Sequence, residues 1–395
     1  MKMNSEFFGQ NRRRVLEVIG DRVMLLSAYD KMQHTHDATA PFIQEANFWW
    51  LTGLELPGWR LLIDGRSREV ALIRPSLSKV EKLFESYYSE SDACDVSGVA
   101  QFIASESLSE KLAGRQVYVL KPHTRTALHS TPNPADARIW RQAQQVADSV
   151  HDGRQLLSRL RAIKQPAEIA AIEHAIDITV RAFKRTAPLI PQLVNEAEVA
   201  AEFTYDFMKQ GARHAYEPIV AAGKNACTLH YDKNNAPLEG VVLLDIGARH
   251  DGYSADISRT YAYTRPTERQ LHVHQELYRA HQAIIALLKP GLSIEAYLRA
   301  VDTSMKQALV SLGLIRDSSD TEGYRRYFPH AISHGLGVDV HDSFGGVEAF
   351  AEGMVLTVEP GIYIPEEGIG MRIEDDVLIT ATGHRNLSVD LPVVL

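Results

Sequence analysis

Only two cysteines, Cys94 and Cys227, occur in 395 residues. They show neither a close pair nor a zinc-ribbon spacing, so no disulfide framework or thiolate metal site organises this chain, and a reducing, cytoplasmic compartment is expected. Nowhere do about 18 apolar residues follow one another, the length a bilayer-spanning helix requires. The opening MKMNSEFFGQNRRR carries positive charge without the apolar run of a secretory signal. No membrane association is expected. Charge of one sign is equally scarce: the formal net charge is −8 and spread along the chain, and Arg12 to Arg14 is too short a patch to hold a polyanion. No nucleic-acid partner is expected.

Hydrophobic residues make up 45% of the chain. At this length that is enough to bury a large core divided between two domains. Over residues 1–158, RVMLLSA, FWWLTGL, WRLLIDG, EVALIRP and QVYVLKP read as strands and LSKVEKLFESYYS as helix, which predicts an α/β domain. Within it Phe48, Trp49 and Trp50 form an aromatic cluster suited to a core, or to a wall lent to a partner subunit's pocket. Over residues 159–395, helices are predicted from Pro166, which suits a first helical turn, through NEAEVAAEFTYDFMKQG, TERQLHVHQELYRAHQAIIALLKPG and a Ser293-capped segment. Between and after them VVLLDIGA, DGYSADISRTYAY, GMVLTVEPGIYI and RIEDDVLIT read as strands. The second domain is thus predicted as α+β with antiparallel sheet.

Acids interrupt those strands. Asp245 breaks the apolar run from Val241 to Ile246, Asp256 lies in the strand-like stretch after Asp251-Gly252, Glu359 closes VLTVE, and Glu374 sits in RIEDD. An acid inside an apolar strand is costly unless water reaches it or a cation is bound. Four carboxylates in one cavity would repel unless protonated or balanced, and two divalent cations would neutralise four negative charges. A carboxylate-rich set suits hard or borderline ions such as manganese. His334 would supply one imidazole; its segment FPHAISHGLGVDVHD also offers His330 and His341, with Gly335 and Gly337 letting the backbone bend close to a ligand.

In order along the chain, DIGARHDGYSADISRTY, FPHAISHGLGVDVHD, VLTVEPGIY and RIEDD resemble the metal-site signatures of the Xaa-Pro peptidases, prolidase and aminopeptidase P. These enzymes have the creatinase-type pita-bread fold. The likeness runs from about residue 160 to 385, and MQHTHDATAPFIQEANFWWLTGL also resembles aminopeptidase P, so it covers nearly the whole chain. It implies a creatinase-like N-terminal domain and a pita-bread catalytic domain holding two divalent ions, manganese expected. Asp245 would bind one ion, Asp256 and Glu374 would bridge, and His334 and Glu359 would complete the second, with Glu359 also the general acid/base. His230 (in NACTLHY) and His341 would stand beside the scissile bond, His330 would border the proline pocket, and Arg372 and Tyr363 would support the site and the substrate.

The implied reaction is hydrolysis beside proline of a small peptide, releasing its N-terminal residue. His334-Gly335-Leu336-Gly337 looks closer to prolidase, because aminopeptidase P often carries tryptophan after the metal-binding histidine, whereas FWWLTG points to aminopeptidase P. The expectation is narrowly a prolidase-like dipeptidase, with aminopeptidase P as the alternative. Creatinase shares the fold without this metal chemistry, and methionine aminopeptidase shares the cage without a comparable N-terminal domain. A noncatalytic metal-binding interaction protein is the remote alternative. A homodimer is expected, with the Phe48 to Trp50 region turned toward a neighbouring site.

Overall fold

Strand Val23–Ser27 pairs antiparallel with Arg60–Asp64 and parallel with Gln116–Val119. With Val70–Ile73 and Ser149–Asp152 at the edges these strands make a mixed five-stranded sheet covered by helices, the α/β layering that alternating apolar runs and turns imply. The computed structural model describes residues 3–123 and 132–395. They divide into two compact units at Leu160 and Arg161.

One strand expected in the first unit is a helix. FWWLTGL lies on Ala46–Thr52, whose first turn is capped by the Glu45 carboxylate accepting from the Phe48 N–H at 2.7 Å and which ends on left-handed Gly53. A short apolar run fits a buried helix as well as a buried strand. Its side chains point inward: Phe48 and Trp50 are fully buried, Trp49 packs edge-on to Phe8 with ring centroids 5.6 Å apart, and Arg14 lies over the Trp50 ring. They are core residues of their own domain, which corrects the expectation that they face a neighbouring site.

In the second unit all paired strands are antiparallel. Pro166–Thr186, Glu196–Lys209, Glu268–Ile285 and Ile294–Ser311 are its long helices, the last capped by Ser293. Strand alternation sorts the C-terminal strands into two chemistries. Leu356, Val358, Ile362, Ile364, Met371, Ile373, Val377 and Ile379 join one apolar cluster with residues of Glu268–Ile285 and Ile294–Ser311. Each fully buried aliphatic side chain there contributes roughly 1.5–3 kcal/mol. The alternate positions carry Thr357, Glu359, Tyr363, Arg372 and Glu374. The fold and the polar face are two outcomes of one period-two pattern. Among the described residues no helix is long and apolar enough to cross a membrane.

Candidate metal centre

Asp245 sits near the end of Val241–Ile246, which pairs with Ile257–Ala262 so that Ser258 is directly opposite it. Asp256 precedes that second strand instead of lying within it. The connection between the aspartates folds tightly at Gly247, where a Cβ would stand 1.9 Å from the Ala255 carbonyl oxygen. Glu374 enters from the link between Ile369–Arg372 and Asp375–Ile379, its N–H donating to the Ser258 carbonyl at 3.0 Å. His334 and Glu359 arrive together because the segment carrying His334 runs beside Val355–Val358. There the Thr357 N–H donates to the His334 carbonyl and the Glu359 N–H to that of Ile332, both at 3.0 Å.

These five residues converge. Their donor atoms form two overlapping groups within 4.8 Å, Asp245 with Asp256 and Glu374, and His334 with Glu359 and Glu374, and a third group brings His341 to Asp256 and His334. The imidazole of His334 is oriented for ligation. Its Nδ1 lies 3.0 Å from the Gly335 carbonyl, so Nδ1 carries the hydrogen and Nε2 faces Asp256 and Glu359, at 3.4 and 3.5 Å.

Burial pushes the Glu374 carboxyl well above its ordinary range, and the charges of Asp256, Glu359 and Asp245 push it further. Burial raises Asp245 as well, against the opposing charge of Arg372, and lifts Glu359 to about 7. Burial works against the His334 imidazolium, yet the hydrogen bond and charge of Asp256, with Glu359, outweigh it and raise that group to about 9. Without cations the cluster therefore keeps protons. Four carboxylates and one imidazole fit two divalent ions, which would take the place of those protons.

Arg372 ties the cage to the surrounding residues. It donates through Nη2 to Asp245 Oδ2 at 2.6 Å, through Nε to Ser258 Oγ at 2.8 Å, and through Nη1 to the Tyr363 hydroxyl at 2.8 Å. Ser258 Oγ in turn donates to Glu374 Oε2 at 2.7 Å. Tyr363 Oη lies 2.9 Å from His330 Nε2, and His330 Nδ1 lies 2.7 Å from the Ala331 carbonyl. Since the phenol oxygen already accepts from Arg372, its hydrogen goes to Nε2 and the Nδ1 hydrogen to the carbonyl. Burial and the charge of Arg372 hold His330 down to about 4, which keeps this ring neutral. With three donor nitrogens engaged and only 5% exposure, Arg372 faces its protein partners.

His341 stacks edge-on against His334, with ring centroids 4.3 Å apart. Its loop is fastened by Asp342, whose N–H donates to the Gly335 carbonyl and whose carboxylate pairs with Arg161 at 3.1 Å and Lys164 at 3.5 Å. His230 is exposed and lies within electrostatic reach of both His330 and His341. Two further residues belong to the site. Tyr216 places its hydroxyl oxygen 2.6 Å from an oxygen of Asp245 and of Asp256, and Ser258 links Arg372 to Glu374. Ser258 had a readable signal, two positions after Asp256 and so on the same strand face; Tyr216, in the loop-like AYEPI, had none.

An α/β domain followed by an antiparallel, two-cation cage on a pita-bread sheet defines a metallopeptidase. The family model described as metallopeptidase family M24 matches residues 170–381, and that described as the aminopeptidase P N-terminal domain matches residues 8–141. The Xaa-Pro aminopeptidase of Haemophilus influenzae is 32% identical, spanning 99% of this chain and 96% of that protein. Escherichia coli aminopeptidase P with the inhibitor Pro-Leu superposes with a TM-score of 0.86 at 27% identity, covering 100% of this chain and 97% of that one. Its zinc-substituted form in complex with product gives 0.86 at 28% identity over the same shares. The chain belongs to the M24 metallopeptidase family, among the Xaa-Pro aminopeptidases, and is a metal-dependent Xaa-Pro peptidase. The narrow expectation of a prolidase is revised: the relatives favour aminopeptidase P.

Proposed function

We propose that this chain is an Xaa-Pro aminopeptidase that removes the N-terminal residue from peptides whose second residue is proline, including peptides longer than two residues. The likeness over nearly the full length of an Xaa-Pro aminopeptidase carries the substrate class. The inhibitor Pro-Leu bound by the Escherichia coli enzyme also supports it, because that dipeptide is what cleavage of an Xaa-Pro-Leu peptide leaves behind. Asp245, Asp256, His334, Glu359 and Glu374 hold the metals, with manganese as the working ion on the strength of the oxygen-rich donor set. Glu374 shares one donor group with Asp245 and Asp256 and another with His334 and Glu359, which supports its bridging role; that of Asp256 rests on the family resemblance.

Bound divalent cations supply Lewis-acid polarisation of the scissile carbonyl and render water nucleophilic near neutral pH. The chain's own residues do the rest. Glu359 takes a proton from the attacking water at its carboxylate and returns it to the departing proline nitrogen. His230 and His341 donate hydrogen bonds to the substrate and to the oxyanion that develops on the carbonyl. His330, held neutral and fixed by Tyr363, borders the proline ring. Arg372 acts through Asp245 and Tyr363, holding both in place, and this role replaces a direct contact with a substrate carboxylate. A proline amide has no N–H to offer, so a pocket shaped to the ring recognises it where an ordinary protease would seek a backbone donor.

A homodimer and a cytoplasmic location belong to the same proposal, the latter supported by the two unpaired cysteines. The deciding experiment compares Ala-Pro with Ala-Pro-Ala on manganese-loaded protein, following products by mass spectrometry. Efficient tripeptide cleavage is expected; strong dipeptide cleavage with little tripeptide cleavage would return the chain to prolidase.

A further inference from the structure

The loop carrying His230 is organised by a carboxylate outside the metal cage. Glu196 is the first residue of helix Glu196–Lys209 and is fully buried. Among the described residues no lysine, arginine or histidine pairs with it. Instead it accepts four hydrogen bonds. Oε1 receives the Ala222 N–H at 2.9 Å and Asn225 Nδ2 at 3.0 Å; Oε2 receives the Tyr231 hydroxyl at 2.8 Å and the Ala236 N–H at 2.8 Å. The Glu196 N–H donates back to the Ala236 carbonyl at 3.0 Å. Four donors and the positive end of a helix are what a buried carboxylate needs in place of a cation.

Those donors are not scattered. Ala222 and Asn225 open the segment that holds His230, Tyr231 is its next neighbour in the chain, and Ala236 closes the segment. Tyr231 belongs to one apolar cluster with Ile219, Ala226, Leu243 and Tyr363, the last being the residue that holds His330. Apart from the short turn Gly223–Cys227 the segment has no regular structure to fix its course. One side chain thus closes the loop at both ends and grips it beside its exposed histidine.

We propose that Glu196 is a positioning residue for catalysis, acting through Tyr231 and the loop 222–236 to hold His230 at the substrate; this rests on the substrate-facing reading of His230 given above. Glutamine is nearly isosteric, but whichever way its amide turns it sets an NH2 group against donors that Glu196 accepts. Glu196→Gln should therefore release the loop while leaving the five metal-binding side chains untouched.

The test is a double-mutant cycle on manganese-loaded enzyme with Ala-Pro-Ala as substrate, combining Glu196→Gln with His230→Ala. Manganese titration and hydrogen exchange over residues 222–236 are followed in parallel. Glu196→Gln should lower kcat/KM by about 10- to 100-fold, the usual scale for losing an orienting contact, with faster exchange in the loop and unchanged manganese affinity. In the His230→Ala background the same substitution should cost little. Tyr231→Phe, which removes one of the four bonds, should show the same coupling at smaller size and carries the test if Glu196→Gln does not fold. Equal losses in both backgrounds, or manganese affinity falling with activity, would overturn the role of Glu196 and leave that of His230 intact. A His230→Ala enzyme as active as the parent would defeat the reading of His230 and this inference with it.

Discussion

Arg372 donates to Asp245 Oδ2 across 2.6 Å, so a carboxylate proposed to bind metal is also one arm of a buried ion pair. The same guanidinium reaches Ser258 and Tyr363. Lysine keeps the charge but offers its donors from a single nitrogen, which cannot span Asp245, Ser258 and Tyr363 as the planar guanidinium fork does. Arg372→Lys should retain metal and lose about 10- to 100-fold in kcat/KM, because Asp245 and Tyr363 are no longer held together. Calorimetric manganese titration beside steady-state kinetics checks this, and parent-like kinetics would remove Arg372 from the machinery.

Glu374 joins the donor group of Asp245 and Asp256 to that of His334 and Glu359, and with Asp256 it is proposed to bridge the two ions, whereas Asp245 is proposed to bind one. Replacing either bridging acid by alanine should cost more manganese affinity than Asp245→Ala, since a bridge contacts both ions. Calorimetry on folded variants measures it. Equal losses for all three would argue that the ions are not bridged as assigned.

The legibility of this cage has a plain cause. Asp245, Glu359 and Glu374 interrupt or close apolar runs, a conflict visible without coordinates, and the motifs around them supplied their grouping. Tyr216 matters through where the chain brings it, and only the placement of its hydroxyl reveals it, whereas the spacing of Ser258 from Asp256 gave a hint that its pairing with Asp245 makes plain. The aromatic run misled for a related reason: what buries Phe48 to Trp50 includes Phe8 and Arg14, more than thirty positions earlier in the sequence. Gly335 misled differently. A Cβ there would stand 2.7 Å from the Asp342 carbonyl oxygen, so a close backbone crossing accounts for the glycine whatever the length of the substrate.

His281 gives a pH prediction away from the cage. Burial holds this imidazole down to about 4, with the Asp375 carboxylate pulling upward and Arg259 pushing down. The unfolded chain binds a proton near pH 6.5 that the native state refuses until about pH 4, so the native state is fully favoured above 6.5 and loses ground as pH falls through that window. The loss from this group approaches about 3 kcal/mol. Urea midpoints at pH 7.5 and 5.0 should converge in His281→Gln relative to the parent. An identical pH dependence in both proteins would contradict the assignment.

Removing metal should destabilise the second unit. Ions that bind only the folded chain stabilise it by about 2.7 kcal/mol at a hundredfold excess over Kd. Calorimetric scans of chelator-treated and manganese-loaded protein should show the loaded form melting higher, by an amount that grows with free manganese. Superimposable scans would mean the cage holds no ion in the native state.

The measurement that bears most directly on the whole account is a manganese titration of the stripped enzyme, monitored by release of alanine from Ala-Pro-Ala and from Ala-Ala-Ala. Stripped protein should show no turnover, activity should saturate as both ions bind, and the proline peptide should be cleaved with little cleavage of its alanine counterpart. Turnover that survives complete metal removal, or equal cleavage of the two peptides, would contradict a metal-dependent, proline-directed aminopeptidase.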